Sequence, residues 1–319
     1  MKLRFLGRAL TVVVLPALTF LPARAQDSAA IQNHIDNALR SAGPTWREAA
    51  NYFCSESSSP NRPTDPAIAP TRLFDNLSVV GSVGTVVYIL QTSQGLILID
   101  AGYPEQVDSV LIPGLKALHF DSAQVRYVIV THGHSDHFGA ARYLQDTYGA
   151  KVFLSKADWD LLDAPPAQGK GAPAPQPKRD QVVADLQPIV LGDTSILPVL
   201  IPGHTPGALA LIFPVFDNGK KYMAGLFGGT VLTPGFVSAQ GLRDYIQSVP
   251  RYARIAAENH VTVEVQNHPL MDGFAARLQL LKQRGAQQPH PFVIGEQAYA
   301  AFLNVMSECA QAQLLRKGN

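Results

Sequence analysis

The chain has 319 residues, of which 46% are apolar, with 26 Lys and Arg against 25 Asp and Glu. That supplies one large core or two modest ones. The even charge balance, with short basic clusters such as Lys220-Lys221 and Arg316-Lys317, argues against a nucleic-acid partner, which needs Lys and Arg concentrated on one face.

Taken in chain order, the first element is a leader. Lys2, Arg4 and Arg8 precede an apolar run from Ala9 to Leu21, and Ala23-Arg24-Ala25 follows as a small-x-small cleavage pattern. The run is shorter than the roughly 20 residues that span a bilayer, and it contains Pro16. Residues 1–25 are therefore expected to be a cleaved signal peptide, and 26–319 a single domain, periplasmic or secreted. Cleavage removes Lys2, Arg4, Arg8 and Arg24, four of the 26 basic residues and no acid, so the mature chain carries a net charge of −3. No later segment is long and apolar enough for a transmembrane helix, so no membrane association is expected after cleavage; the mature chain is expected to be a monomer.

Trp46, Tyr52 and Phe53 recur at helical spacing and are expected in the core. Cys54 and Cys309 are the only cysteines. In an oxidising compartment a disulfide between them and two buried thiols fit the sequence equally, and their spacing does not suit a zinc-binding pair. Val79–Gln91 and Leu96–Asp100 read as a hairpin about Ser93-Gln94-Gly95. Helical spacing follows over 107–118, then a buried strand over 125–131 and a helix over 138–148. A strand at 152–154 and a short helix at 156–162 lead into a Pro-rich segment, 164–178, expected to be a long loop within the domain and close to a site. Strands are expected at 189–191, 195–200, 208–215, 221–227 and 261–266, and helices at 241–259, 273–284 and 295–315. His34, His119, His260 and His290 fall away from any motif and are expected in surface or capping roles.

The chemistry concentrates where the strand 125–131 ends. Thr131-His132-Gly133-His134-Ser135-Asp136-His137 places three imidazoles and a carboxylate at a strand-to-helix turn. Neutral imidazole and carboxylate are zinc ligands, and Gly133 is expected to let the backbone turn tightly enough for neighbours to face more than one metal. His204, in Gly203-His204-Thr205-Pro206-Gly207, and His268, in Asn267-His268-Pro269, also lie just beyond strands.

His132-Gly133-His134-Ser135-Asp136-His137 resembles the His-x-His-x-Asp-His signature of the metallo-β-lactamase superfamily. Leu98-Ile99-Asp100-Ala101-Gly102 is similar to its preceding strand motif, and Gly203-His204-Thr205-Pro206-Gly207 to its next histidine motif. The resemblance runs from about Leu73 to Arg284. It implies an α/β fold, a four-layer αβ/βα sandwich of two mixed β-sheets flanked by helices. It also implies two Zn2+ per chain, one held by His132, His134 and His204 and the other by Asp136, His137 and His268. Asp100 is implied as a supporting residue that holds the ligand loop.

Several branches of that superfamily carry an additional aspartate bridging both metals in a Gly-Asp-Thr context. The corresponding stretch here, Gly225–Thr230, holds no carboxylate, and none follows through to Gly235. With a histidine as the first ligand and no zinc-binding cysteine, the pattern is similar to the third subclass of class B β-lactamases. Aligning Pro234-Gly235 with the family's Pro-Gly puts Thr230 at the first of two hydroxyls that hold the antibiotic's carboxylate and Leu232 at the second; Thr233 is an alternative to the latter. The resemblance implies a zinc-activated hydroxide oriented by Asp136, with no Ser or Cys nucleophile. The expected activity is hydrolysis of a β-lactam amide. The alternative is a related metallo-hydrolase acting on another small ester, lactone or thioester, and a non-catalytic zinc protein fits less well because structural sites are closed by four protein ligands.

Overall fold

The structure is a computed structural model that describes residues 23–55, 65–164, 174–232 and 237–318. Most of the expected signal peptide, the centre of the Pro-rich segment, and Thr233, Pro234 and Gly235 lie outside the described residues. No helix among those described is long and apolar enough to cross a membrane.

Two sheets carry the fold. The first has seven strands in chain order: β1 (Thr71–Phe74), β2 (Leu77–Gly81), β3 (Val86–Thr92), β4 (Gly95–Ile99), β5 (Val125–Ile129), β6 (Lys151–Ser155) and β7 (Gln181–Val183). Pairing is antiparallel as far as β4 and parallel from β4 to β7. The second has the order β12-β11-β10-β9-β8, from β8 (Ile189–Leu191), β9 (Thr194–Leu200), β10 (Leu209–Asp217), β11 (Lys220–Phe227) and β12 (Val261–Glu264). Only β11 and β12 pair in parallel there.

Alternation along each strand sets the layers, because successive side chains point to opposite faces. In β3, Val86, Tyr88 and Leu90 enter the core between the sheets, where they meet Leu209, Leu211 and Phe213 of β10. Val87 and Ile89 point outward and pack with Leu98, Leu115, Leu144 and Trp159. These outer partners bring in α3 (Ile112–Ala117), α4 (Ser135–Phe138), α5 (Ala141–Tyr148) and α6 (Lys156–Asp163). Behind the second sheet, Ala210, Ile212 and Phe227 pack on α1 (Ala23–Ala42), α2 (Arg47–Phe53), α7 (Ala239–Glu258) and α9 (Glu296–Arg316). The result is the implied αβ/βα sandwich, with α8 (Phe274–Gln283) closing one end through Phe274 and Leu278.

Several expectations need correction. The first arm of the hairpin is two strands, because the chain turns at Ser82–Thr85, where Ser82 N donates to Thr85 O. The 107–118 helix starts as a wide π-helical turn over Val107–Leu111 before α3. The 138–148 helix is split into α4 and α5 at Gly139 and Ala140. His290 is not on the surface: it is buried, stacks on Phe74 with ring centroids 3.9 Å apart, and holds Leu73 O through Nε2. Cys54 and Cys309 form a disulfide that ties the end of α2 to α9, where Trp46, Phe53 and Phe302 pack together.

Candidate metal centre

The parallel strands β4, β5 and β6 deliver their carboxyl ends to one edge of the sandwich, the place where such sheets bind ligands. Beyond β5 come Thr131 and His132, both fully buried, and then α4 with Asp136 and His137. The second sheet supplies His204 from the β9–β10 loop and His268 from the segment after β12. Six side chains expected from sequence thus meet as two trios. The donor atoms of His132, His134 and His204 lie within 4.8 Å of one another, as do those of Asp136, His137 and His268.

Within the first trio, His134 Nδ1 and His204 Nε2 are 3.0 Å apart. In the second, His137 Nε2 stands 3.0 Å from His268 Nε2 and 3.3 Å from Asp136 Oδ2. Nitrogens bound tetrahedrally at 2.0–2.1 Å to one zinc are separated by roughly 3.3 Å, so both spacings suit a shared cation. His132 Nε2 is buried without a hydrogen-bond partner, a loss of about 1–3 kcal/mol that a metal ligated there removes. The trios adjoin, since the His132 and His137 rings are 3.9 Å apart between centroids.

Supporting contacts fix the rings. Asp100, itself at φ 61° in the left-handed region that Asp tolerates better than most residues, accepts from His137 Nδ1 at 2.7 Å, Thr131 N at 2.7 Å, Thr131 Oγ1 at 3.0 Å and Asn267 Nδ2 at 3.1 Å. That leaves His137 Nε2 facing Asp136. His268 Nδ1 donates to Gly84 O at 2.8 Å, which likewise turns Nε2 inward.

The electrostatics follow from burial. Desolvation and the neighbouring histidines hold His132 and His204 well below the usual imidazole range, so both rings are neutral donors. Burial opposes charge on His137, but the Asp136 and Asp100 carboxylates outweigh it and push this imidazole up to about 10. Burial likewise opposes charge on Asp136, yet its histidine neighbours hold this carboxyl below the usual carboxylate range. The second trio therefore holds an ion pair between Asp136 and His137, whereas His132 and His204 of the first trio are neutral.

Sequence reasoning missed one residue that the geometry places prominently. Asp158, in the first turn of α6, is fully buried and accepts from Gly133 N, Thr205 Oγ1 and Gly207 N at 2.7, 2.7 and 2.8 Å. Burial pushes its carboxyl up, and these three donors pull it back. Locally, Ser155 caps α6 by accepting from Asp158 N, which marks the helix start and not the buried carboxylate. Gly133 is corrected too: its φ is not positive and an added Cβ would meet neighbours at an ordinary 3.5 Å, so the loop turns there without needing glycine. Thr230 and Leu232 are both buried, and Thr230 Oγ1 has no hydrogen-bond partner.

Gly229 lies in the stretch Gly225–Thr230, which the family resemblance matches to the bridging-aspartate segment and which holds no carboxylate. Its φ is +73°, and a Cβ there would sit 2.6 Å from His204 Cβ. The stretch therefore lacks the carboxylate and also the room for one.

Residues 80–215 match the family model of the metallo-beta-lactamase superfamily. Among solved structures, the chain is similar to a subclass B3 metallo-β-lactamase of Bradyrhizobium japonicum, at 27% identity and a TM-score of 0.63, over 73% of this chain and 89% of that one. It shares its fold with the native metallo-β-lactamase of Legionella gormanii, at 22% identity and a TM-score of 0.66, over 76% and 94% of the two chains. A curated relative from Bacillus subtilis named "probable metallo-hydrolase" is 27% identical over 166 residues, 44% of this chain and 59% of its own. A lactamase-like protein of Penicillium aethiopicum is 26% identical over 208 residues, 64% of this chain and 59% of its own. The chain thus spans about six tenths of the length of these two curated relatives.

Proposed function

We propose that this chain, which carries a metallo-β-lactamase superfamily domain, is an exported di-zinc hydrolase that opens the amide of a β-lactam. The carrying observation is the pair of converging trios with a carboxylate in only one of them and no place at Gly229 for a bridging one. The similarity to a subclass B3 enzyme supports the same reading.

In this proposal His132, His134 and His204 hold one zinc, and Asp136, His137 and His268 the other. When bound, the metal pair supplies Lewis acidity that lowers the pKa of water to about 7 and polarises a carbonyl. The chain's own groups do the positioning. Asp136, 22% exposed and ionised, is open to the cleft and orients the attacking water through its carboxylate. Asp100, Asn267 and Thr131 hold His137 in one tautomer, and Gly84 O does the same for His268. Thr230 is proposed to present the hydroxyl that meets a substrate carboxylate, a contact that requires a local shift because its Oγ1 is buried.

A second reading, hydrolysis of a small ester, lactone or thioester, is favoured by Leu232. It is buried and apolar where a second carboxylate-binding hydroxyl is expected. The test is turnover by the zinc-loaded protein of a chromogenic cephalosporin and a carbapenem beside a lactone and a thioester, with a chelator control. Chelator-sensitive β-lactam turnover that is lost in His204→Ala upholds the first reading. A protein that binds two zincs yet hydrolyses only the lactone or thioester replaces it with the second.

A further inference from the structure

The two loops that carry the first trio belong to different sheets. His132 and His134 follow β5 of the first, whereas His204 lies between β9 and β10 of the second. Side-chain packing between sheets tolerates small slips, but three ligand nitrogens around one ion do not, because misplacement by about 0.5 Å already spoils such a constellation. Something must fix one loop on the other.

The group that does so is Asp158. Because β5 and β6 are parallel neighbours, β6 delivers the start of α6 to the edge where the histidine loop begins. There Oδ2 accepts from Gly133 N, between the two histidines of the first loop, and from Thr205 Oγ1, next to His204 in the other. Oδ1 accepts from Gly207 N. The approach is close: a Cβ on Gly207 would come within 1.9 Å of Ser155 Oγ and 2.9 Å of Asp158 Oδ1. One buried carboxylate thus pins both ligand loops.

We propose that Asp158 is a positioning residue that sets metal affinity at the trio His132, His134 and His204 by locking the two loops in register. The inference rests on the reading of that trio as a metal site. It excludes an equal effect on the trio Asp136, His137 and His268, whose orientation comes from Asp100 and Gly84.

Asp158→Asn keeps the shape but turns one acceptor into a donor that faces Gly133 N or Gly207 N. The test measures zinc dissociation constants by competition with a chromogenic chelator in two single-site backgrounds of the full chain, His268→Ala and His204→Ala. Loss of such a supporting contact weakens metal binding by roughly 10–100-fold, expected in the His268→Ala background, with a change of less than about twofold in the His204→Ala background. Leu144→Ala, a core change away from the site, is expected to lower the melting temperature and leave both constants alone. If Asp158→Asn does not fold, Thr205→Val carries the same expectation through the loss of one donor. Unchanged affinity in the His268→Ala background, or an equal loss in both, overturns the inference while the metal reading stands. A wild-type chain that binds no zinc overturns the metal reading and this inference together.

Discussion

Gly229→Ala tests the reasoning about the missing bridging ligand with a single methyl group. Gly229 sits at φ +73°, and its new Cβ would lie 2.6 Å from His204 Cβ and 2.9 Å from His204 Cγ. The left-handed conformation costs a non-glycine residue about 1–2 kcal/mol, and forcing a methyl into a packed contact costs about 1–3 kcal/mol more. The sum is roughly 2–5 kcal/mol, and at about 2–4 °C per kcal/mol for a large domain the melting temperature falls by roughly 4–20 °C. Because the clash falls on His204, the zinc bound by the first trio weakens as well. Thermal unfolding of the metal-free protein isolates the first effect, and zinc retained after dialysis reports the second. A Gly229→Ala protein that melts with the wild type and keeps its full zinc complement refutes the steric argument. Absence of the bridging aspartate would then be a matter of sequence alone.

Reduction of the Cys54–Cys309 bond, which spans 255 residues, should cost about 5 kcal/mol in the chain-entropy account; an unchanged melting temperature with both thiols titrated as free would contradict it. Asp217 accepts from Arg284 at 2.9 and 2.7 Å, and this pairing holds its carboxyl below the usual range. Its contribution, about 1 kcal/mol, is complete above the unfolded value of about 3.9 and is lost as pH falls through the lower folded one. The melting difference between wild type and Asp217→Asn should therefore hold from pH 7 to pH 5 and shrink below about pH 4; a constant gap down to pH 3 argues against the assignment. Asp100→Asn puts an amide where four donors converge and should weaken zinc at the second trio by roughly 10–100-fold, read as loss of one zinc on dialysis; retention of both would rule out its supporting role.

The six side chains of the two trios were legible because histidine is rare, and each stood just past a run of strand-forming residues. The sandwich was legible for a related reason: strands such as β3 and β10 alternate between two buried faces and leave continuous apolar runs. What escaped the sequence depends on long-range contact. Asp158 is one of three acids in α6, with Asp160 and Asp163 exposed and paired to Lys156 and Arg179, and nothing local separates the buried carboxylate from the solvated ones. The helix α1 is polar along much of its length and is held by packing on α9; its own apolar spacing is weak. His290 reads as a turn residue between prolines, Pro289 and Pro291, and only the fold brings Phe74 against its ring. The break between β2 and β3 was hidden because Ser82–Thr85 interrupts an aliphatic run without a proline or a charge.

The most direct test of the account is a map of anomalous scattering at the zinc edge from crystals of the protein grown with zinc. Two peaks are expected, one among His132, His134 and His204 and the other among Asp136, His137 and His268; a map with no peak at either trio contradicts the metal assignment.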